Sequence, residues 1–442
     1  MNKNLLSIYD EVAKCSRCGF CQPTCPVYRA TGFEGSVARG HNLLIRDVIE
    51  GRRKLGIELE RNISQCLLCR ACTFNCFPAV RTADNVIRAR QELLEEQGQP
   101  ALQQFIFHRL LPNPGELTKY LRFLSWGKRA GLASLARMLS VFAWFGPKLS
   151  HAQELLPQLP AHFLRDRLIK KDMTRTQPAK DKGEVIYFIG CGINFALPEV
   201  GEGTLDLLNS NGFLVKVLEH NCCGLPPYVY GDISAARLLA RQNIMTFEAE
   251  KDKLIVTDCA SCSSFLKDYP ILFAGDNEWE ERAKMFSSRV RDINELDCHG
   301  LRPRNDVIAS VAKQSQKGNS YTIELKGLSQ KTPEKIVTYH DPCHLSRFQM
   351  LTQEPRTLIK SLPGIKFVEL PESDWCCGGA GTYNLTHPDI SIKILGRKME
   401  NLKKTNADYL VTSCPACIIQ LAYGVRKWNL PTKVLHISQI ST

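Results

Sequence analysis

The 442-residue sequence has no run approaching the roughly 18 apolar residues of a membrane-spanning helix, so any membrane contact is expected to be peripheral or through a partner. It shows no secretory leader: Met1-Asn2-Lys3-Asn4 passes straight into a charged segment, which predicts a reducing compartment, the cytoplasm. There is no flavin or nicotinamide fingerprint, no Walker loop and no Ser-His-Asp constellation, and Gly379-Ala380-Gly381 is too weak a match for a phosphate loop. Helix-turn-helix, zinc-finger and aromatic-platform signatures are also missing, so the formal charge of +12 predicts no nucleic-acid partner. That count treats every cysteine as neutral, and thiolate-bound clusters would lower it. A hydrophobic content of 44% fits a folded chain of two to four domains.

What is abundant is cysteine, with nineteen. Cys15, Cys18, Cys21 and Cys25, followed by Pro26, form a C-x2-C-x2-C-x3-C-P run, and Cys66, Cys69, Cys72 and Cys76 repeat it with Pro78 displaced by one residue. In two-cluster ferredoxins the first three cysteines of a run bind one 4Fe-4S cubane and the fourth ligates the other. The spacing therefore predicts one cluster on Cys15, Cys18, Cys21 and Cys76, and a second on Cys66, Cys69, Cys72 and Cys25. Zinc is the alternative, but its sites usually use two C-x2-C pairs set well apart.

Two adjacent cysteines followed by glycine recur at Cys222-Cys223-Gly224 and Cys376-Cys377-Gly378-Gly379. Neighbouring side chains on an extended backbone point apart, so both thiols face one object only if the chain bends, and Gly378 and Gly379 are expected to permit that bend. Around the first pair stand Cys191, Cys259 and Cys262; around the second stand Cys343, Cys414 and Cys417. The copies keep step, Cys191 to Cys343 at an offset of 152 residues and Cys262 to Cys417 at 155, the mark of a duplicated domain. Each set of five is a candidate cluster site. Five thiols exceed what tetrahedral zinc needs, and disulfides would leave one unpaired.

The pattern between these groups divides the chain. Residues 1–98 read as a helix-expanded two-cluster ferredoxin domain. Residues 99–183 read as a helical connector and solvated linker, with helices over 117–146 packed on the ferredoxin domain or, through Trp126, Phe142, Trp144 and Phe145, forming a surface for lipid or a membrane-bound partner. Residues 184–275 and 336–442 read as two α/β cysteine-rich repeats, with strands over 185–189, 214–218, 254–257, 336–339, 367–370 and 409–412. Every cysteine group then follows the carboxyl end of a strand, where open parallel α/β sheets place ligands. Residues 276–335 read as a connection containing the lone Cys298 and an exposed loop at 304–317. The fold class is thus mixed, α+β and α/β.

With these motifs in hand, the chain resembles the iron-sulfur subunits of glycolate oxidase (glycolate or D-lactate dehydrogenase), and more widely the group sharing the cysteine-rich CCG domain with heterodisulfide reductases. Cys376-Cys377-Gly378-Gly379-Ala380-Gly381-Thr382-Tyr383-Asn384-Leu385-Thr386-His387-Pro388 is most similar to the glycolate oxidase branch. The complete five-cysteine sets also resemble those holding non-cubane 4Fe-4S clusters in heterodisulfide reductases. The resemblance implies two cubane clusters and one or two further iron-sulfur clusters, cubane or non-cubane, in the repeats. It implies a flavin-containing 2-hydroxy-acid oxidase subunit as partner and a quinone or other carrier as acceptor; the expected place is the cytoplasm, either free or peripheral on the inner face of the cell membrane. No catalytic residue is assigned on the chain itself. The alternative it keeps open is a thiol-disulfide reductase acting at a CCG cluster.

Overall fold

Two four-stranded parallel sheets position most of the cysteines. In the computed structural model, which describes residues 3–129, 160–171, 182–296 and 334–440, the first sheet is built from β1 (Glu184–Tyr187), β2 (Leu214–Lys216), β3 (Leu254–Thr257) and β4 (Val290–Asp292), in the order β2-β1-β3-β4. The second comprises β5 (Lys335–Tyr339), β6 (Ile365–Phe367), β7 (Tyr409–Thr412) and β8 (Lys433–His436), in the matching order β6-β5-β7-β8. Registers agree between the copies, with Tyr187 opposite Val256 and Tyr339 opposite Val411. The central strands are continuous β-branched and aromatic runs because parallel sheets are covered on both faces.

The expected strands are present with shifted ends, and each sheet has a fourth strand that the pattern did not show. β4 lies inside residues 276–335, so the first repeat extends past the boundary set at 275, and the segment read as connection completes its sheet. Both fourth strands are short, and Val290–Asp292 is followed at once by a capped turn in which Asp292 accepts from Asn294 N. Such a run is too brief for an alternation signal.

The sheets share a core. Val185, Tyr187 and Val256 of the first pack in one cluster with Val337, Tyr339 and Val411 of the second, together with Ile418 and Ile437. Polar ties cross the same boundary: Ala260 N donates to the Ser413 carbonyl at 3.1 Å, and His436 Nε2 is hydrogen-bonded to the Asp258 carbonyl at 2.8 Å.

Residues 3–98 are helical with no strand among them. Ile45, Ile63, Val86 and Leu93, from one face each of Ala38–Ile49, Ile57–Ile63 and Thr82–Gln97, form the core with Leu5 of Lys3–Leu6 and Val12 of Tyr9–Ala13. Arg90, on the last of these, ties this domain to the first repeat by donating to the carbonyls of Ile63 (2.9 Å), Cys66 (2.9 Å) and Val229 (2.7 Å).

Two expectations for the connector are corrected. Of the segment 117–146, expected to pack on the ferredoxin domain, the described part reaches residue 129, and there Leu117 packs with Phe107 and Leu111 on the first repeat's core, which includes Ile186 and Phe188. Its helix runs Pro114–Arg129, leaving Phe123, Leu124 and Trp126 exposed. Residues 164–171 are no solvated linker but a helix, Leu164–Lys171, whose Leu164 and Leu168 are buried against Val185 and Val200. That two-residue apolar stripe was hidden in a charged stretch. Phe142, Trp144, Phe145, Cys298 and the loop at 304–317 lie outside the described residues.

Candidate metal centres

The ferredoxin-type loops place their cysteines by unusual backbone. Arg17 and Leu68, each just before the second cysteine of its run, adopt φ of 60° and 56°, and Gly19 and Arg70, each just after it, adopt 90° and 57°. Three non-glycine residues in left-handed conformation are strained positions that turn successive thiols toward one centre. Cys25 caps the helix Pro26–Thr31, its Sγ accepting from Tyr28 N at 3.5 Å, with Pro26 in the first turn and Gly32 ending the helix at φ 67°. Further N–H groups point at sulfur: Leu68 N at Cys66 (3.5 Å), Val80 N at Cys76 (3.4 Å) and Gly378 N at Cys376 (3.4 Å).

Cys15, Cys18, Cys21 and Cys76 line one cavity, which Cys72 also touches, whereas Cys25, Cys66, Cys69 and Cys72 line another, so the fourth cysteine of each run stands with the first three of the other. Burial pushes the Cys25 and Cys69 thiols up to about 12, so a thiolate there needs a compensating cation. Beside the second cavity, Trp375 Nε1 and Tyr383 Oη are buried without a hydrogen-bond partner. Trp375 and Tyr383 pack with Cys25, Cys69, Cys343 and Cys376. Buried donors without protein acceptors suit the sulfides and thiolates of an iron-sulfur cluster, which accept such bonds.

In the repeats, Cys191, Cys259, Cys343 and Cys414 follow β1, β3, β5 and β7, and the paired cysteines follow β2 and β6. Gly224 (φ 90°) and Gly378 (φ 82°) make the bends. Gly379 does not share that conformation; a Cβ there would stand 3.2 Å from Gln420 Cβ, 3.3 Å from the Ala416 carbonyl oxygen and 3.4 Å from Cys377 Sγ, so its lack of a side chain serves close packing.

The ten thiols, expected as two sets, meet in one row. From the ferredoxin side it runs Cys343, Cys376, Cys377, Cys417, Cys414, then crosses to Cys259, Cys262, Cys223, Cys222 and Cys191, each thiol against the next. The Cys377 and Cys417 sulfurs are 3.6 Å apart. Cys69 packs beside Cys343 and Cys376 at the start of the row. Thiol neighbours shift one another: Cys343 and Cys377 hold Cys376 well below the usual thiol range, and Cys222 and Cys262 hold Cys223 down at about 5. All eighteen described cysteines are free thiols, and every one belongs to a cavity or to the row.

Sequence reasoning missed the residues around the row. Arg347 donates to the Cys69 carbonyl at 3.3 Å and to Asp374 Oδ2 at 2.9 Å, tying the ferredoxin domain to the second repeat. Asp341 is held by both Nη atoms of Arg356, at 2.8 and 2.7 Å. His340 is buried with its ring close to Cys377 and Cys417. The run His340-Asp341-Pro342-Cys343-His344, dense in polar groups directly after an apolar strand, was the available signal.

The 4Fe-4S dicluster domain family matches residues 11–80, and the cysteine-rich CCG domain family matches residues 185–267 and 337–422. A probable glycolate oxidase iron-sulfur subunit of Bacillus subtilis (strain 168) is 31% identical over 97% of this chain and 93% of its own length. The glycolate oxidase iron-sulfur subunit of Escherichia coli (strain K12) is 26% identical over 94% and 91%. Lactate utilization protein A of Geobacillus sp. (strain WCH70) is 30% identical over 58% of this chain and 98% of its own length. A dicluster domain followed by two cysteine-rich repeats, matched nearly end to end, identifies the chain as a member of the glycolate oxidase iron-sulfur subunit family, subunits of oxidoreductase complexes.

Proposed function

We propose that this chain is the electron-transfer subunit of a flavin-dependent 2-hydroxy-acid dehydrogenase acting on glycolate or lactate, taking electrons from a partner flavoprotein and delivering them to a quinone or other carrier. The observation that carries this reading is the continuity of its sulfur sites: two cysteine-lined cavities in the ferredoxin domain that share Cys72, then the row of ten thiols beginning beside Cys69. Iron-sulfur clusters supply one-electron transfer when bound. Cys15, Cys18, Cys21 and Cys76 would hold one 4Fe-4S cluster, and Cys25, Cys66, Cys69 and Cys72 another. The thiols of the row would hold one or two more.

The chain's own residues set the environment of these sites. The N–H groups of Tyr28, Leu68, Val80 and Gly378 stabilise charge on the sulfurs they face. At the first cavity, Cys18 is exposed and Phe20 and Phe77 stand in solvent, which makes this the site nearest to a docked partner. Eight of the ten thiols in the row are between 2% and 8% exposed, which favours electron transfer over thiol exchange, since exchange needs a sulfur that a disulfide can reach. No helix among the described residues is long and apolar enough to cross a membrane.

The test compares the isolated chain with its copurified complex, using glycolate, D-lactate and L-lactate with an artificial dye, and in parallel reduced viologen with several disulfides. Dye reduction should appear only in the complex. Disulfide reduction by the isolated chain, lost on Cys377→Ser, would overturn the assignment.

A further inference from the structure

Phe188 and His340 occupy the same place in the two repeats. Each is the first residue beyond its central strand, and each donates its backbone N–H to the neighbouring strand, Phe188 to Val256 at 2.8 Å and His340 to Val411 at 2.9 Å. In the first repeat the side chain is apolar and stacks on His220, with ring centroids 4.0 Å apart. His220 is itself engaged at both ring nitrogens, by Ile189 N at 3.1 Å and the Asn221 carbonyl at 2.9 Å. The first repeat therefore has no free imidazole nitrogen at this position.

In the second repeat the side chain is an imidazole, 1% exposed, whose Nδ1 has no hydrogen-bond partner. Leaving such a nitrogen unsatisfied costs about 1–3 kcal/mol. A neutral imidazole keeps a lone pair on one ring nitrogen, and Nδ1 is the nitrogen without a protein partner. Beside the ring are Cys377 and Cys417, and the ring nitrogen and both sulfurs all lie within 4.8 Å of one another. Two thiolates 3.6 Å apart and each about 2.3 Å from one metal atom would subtend roughly 100° at it, close to tetrahedral. Cys414, in contact with Cys417, stands next in the row for a fourth ligand.

We propose that His340 is a metal ligand through Nδ1, with Cys377 and Cys417, making the second repeat a mixed nitrogen and sulfur centre for a tetrahedral first-row metal, either iron of an iron-sulfur cluster or zinc, while the first repeat offers sulfur alone. This rests on the reading that the second repeat binds a metal. Exchanging a thiolate for a neutral imidazole removes one negative charge, and an iron centre so ligated sits at a higher potential. The two repeats would then be unequal in potential.

The full chain, purified anaerobically with its partners, is compared with His340→Phe, which installs the residue of the first repeat, and with His340→Cys. Pulsed EPR reads nitrogen coupling for iron, and absorption at the zinc edge reads the ligand shell for zinc. A directly coupled nitrogen, or a zinc shell of nitrogen and sulfur, is expected in the parent and absent from both variants, with the ferredoxin cubane signals unchanged in all three. An all-sulfur centre in the parent, or a nitrogen coupling that survives His340→Phe, overturns the proposal. Zinc without acid-labile sulfide, bound through nitrogen and sulfur, supports the His340 assignment and overturns instead the iron-sulfur reading of this repeat. Metal and sulfide contents unchanged by Cys377→Ser overturn both.

Discussion

Cys414 of the second repeat lies against Cys259 of the first, each the residue that caps the helix after its third strand. The CxxC pairs of the repeats therefore meet face to face, and Ser261 Oγ reaches Cys414 Sγ at 3.4 Å across the same boundary. Replacing Cys414 by Ser is expected to disturb metal held by both repeats. Iron and sulfide analysis against Cys191→Ser, at the far end of the row, checks this: the loss should be greater for Cys414→Ser.

Cys25 belongs to the cavity of the other run. Cys25→Ala should abolish the cluster on Cys66, Cys69 and Cys72 while largely sparing the one on Cys15, Cys18 and Cys21. Low-temperature EPR and iron content distinguish the two, and equal retention of both cubane signals would sink the crossed assignment.

Much of this was legible because cluster ligation imposes spacing on the sequence. C-x2-C-x2-C can serve one centre only through a tight loop, and a doubled cysteine with glycine can serve one only through a bend, so both motifs appear in the residues themselves. The strands leading to Cys191, Cys259, Cys343 and Cys414 were legible as apolar runs. What escaped is what three-dimensional partners decide. β4 and β8 are three- and four-residue edge strands, defined by their neighbours rather than by pattern. The joining of ten thiols into one row depends on how the sheets pack, and no spacing within a repeat encodes it. His340 is an ordinary histidine until Cys417, 77 positions later, is brought beside it.

The pair Arg356 and Asp341 is buried and bidentate, two residues before Cys343, with Glu369 as a second acceptor at 2.9 Å from Nε. Removing the arginine leaves a buried carboxylate uncompensated, at a cost of about 3–5 kcal/mol. Arg356→Met should lower the midpoint of chemical denaturation accordingly. Arg356→Lys should recover only part of the loss, since an ammonium cannot reproduce the fork.

Gly378 and Gly381 separate two causes of strain. Both have positive φ, but a Cβ on Gly378 would stand 2.9 Å from the Ser391 carbonyl oxygen, while one on Gly381 meets nothing within 4 Å. Gly381→Ala should cost about 1 kcal/mol. Gly378→Ala should cost clearly more and reduce iron in the second repeat, as read by denaturation and metal analysis.

His436 is buried between the Asp258 carbonyl and Ser438 Oγ, and burial lowers it from 6.5 to about 4. The folded chain keeps the ring neutral while the unfolded chain protonates below about pH 6.5. Its contribution to stability is thus complete above that pH and is lost as pH falls toward 4, by at most roughly 3 kcal/mol. Denaturation midpoints at pH 7.5 and 5 should differ less in His436→Gln than in the parent.

The bond from His436 to Asp258 also bears on the order in which the molecule can be made. The wall of the first repeat is finished by a residue synthesised 178 positions later, and contacts so distant in the chain form slowly. During translation the early thiols must wait, unsheltered, for the last strand to arrive. Ribosome-bound chains stopped before β8 should therefore show Cys259 and Cys262 open to thiol reagents that cannot reach them in the finished protein.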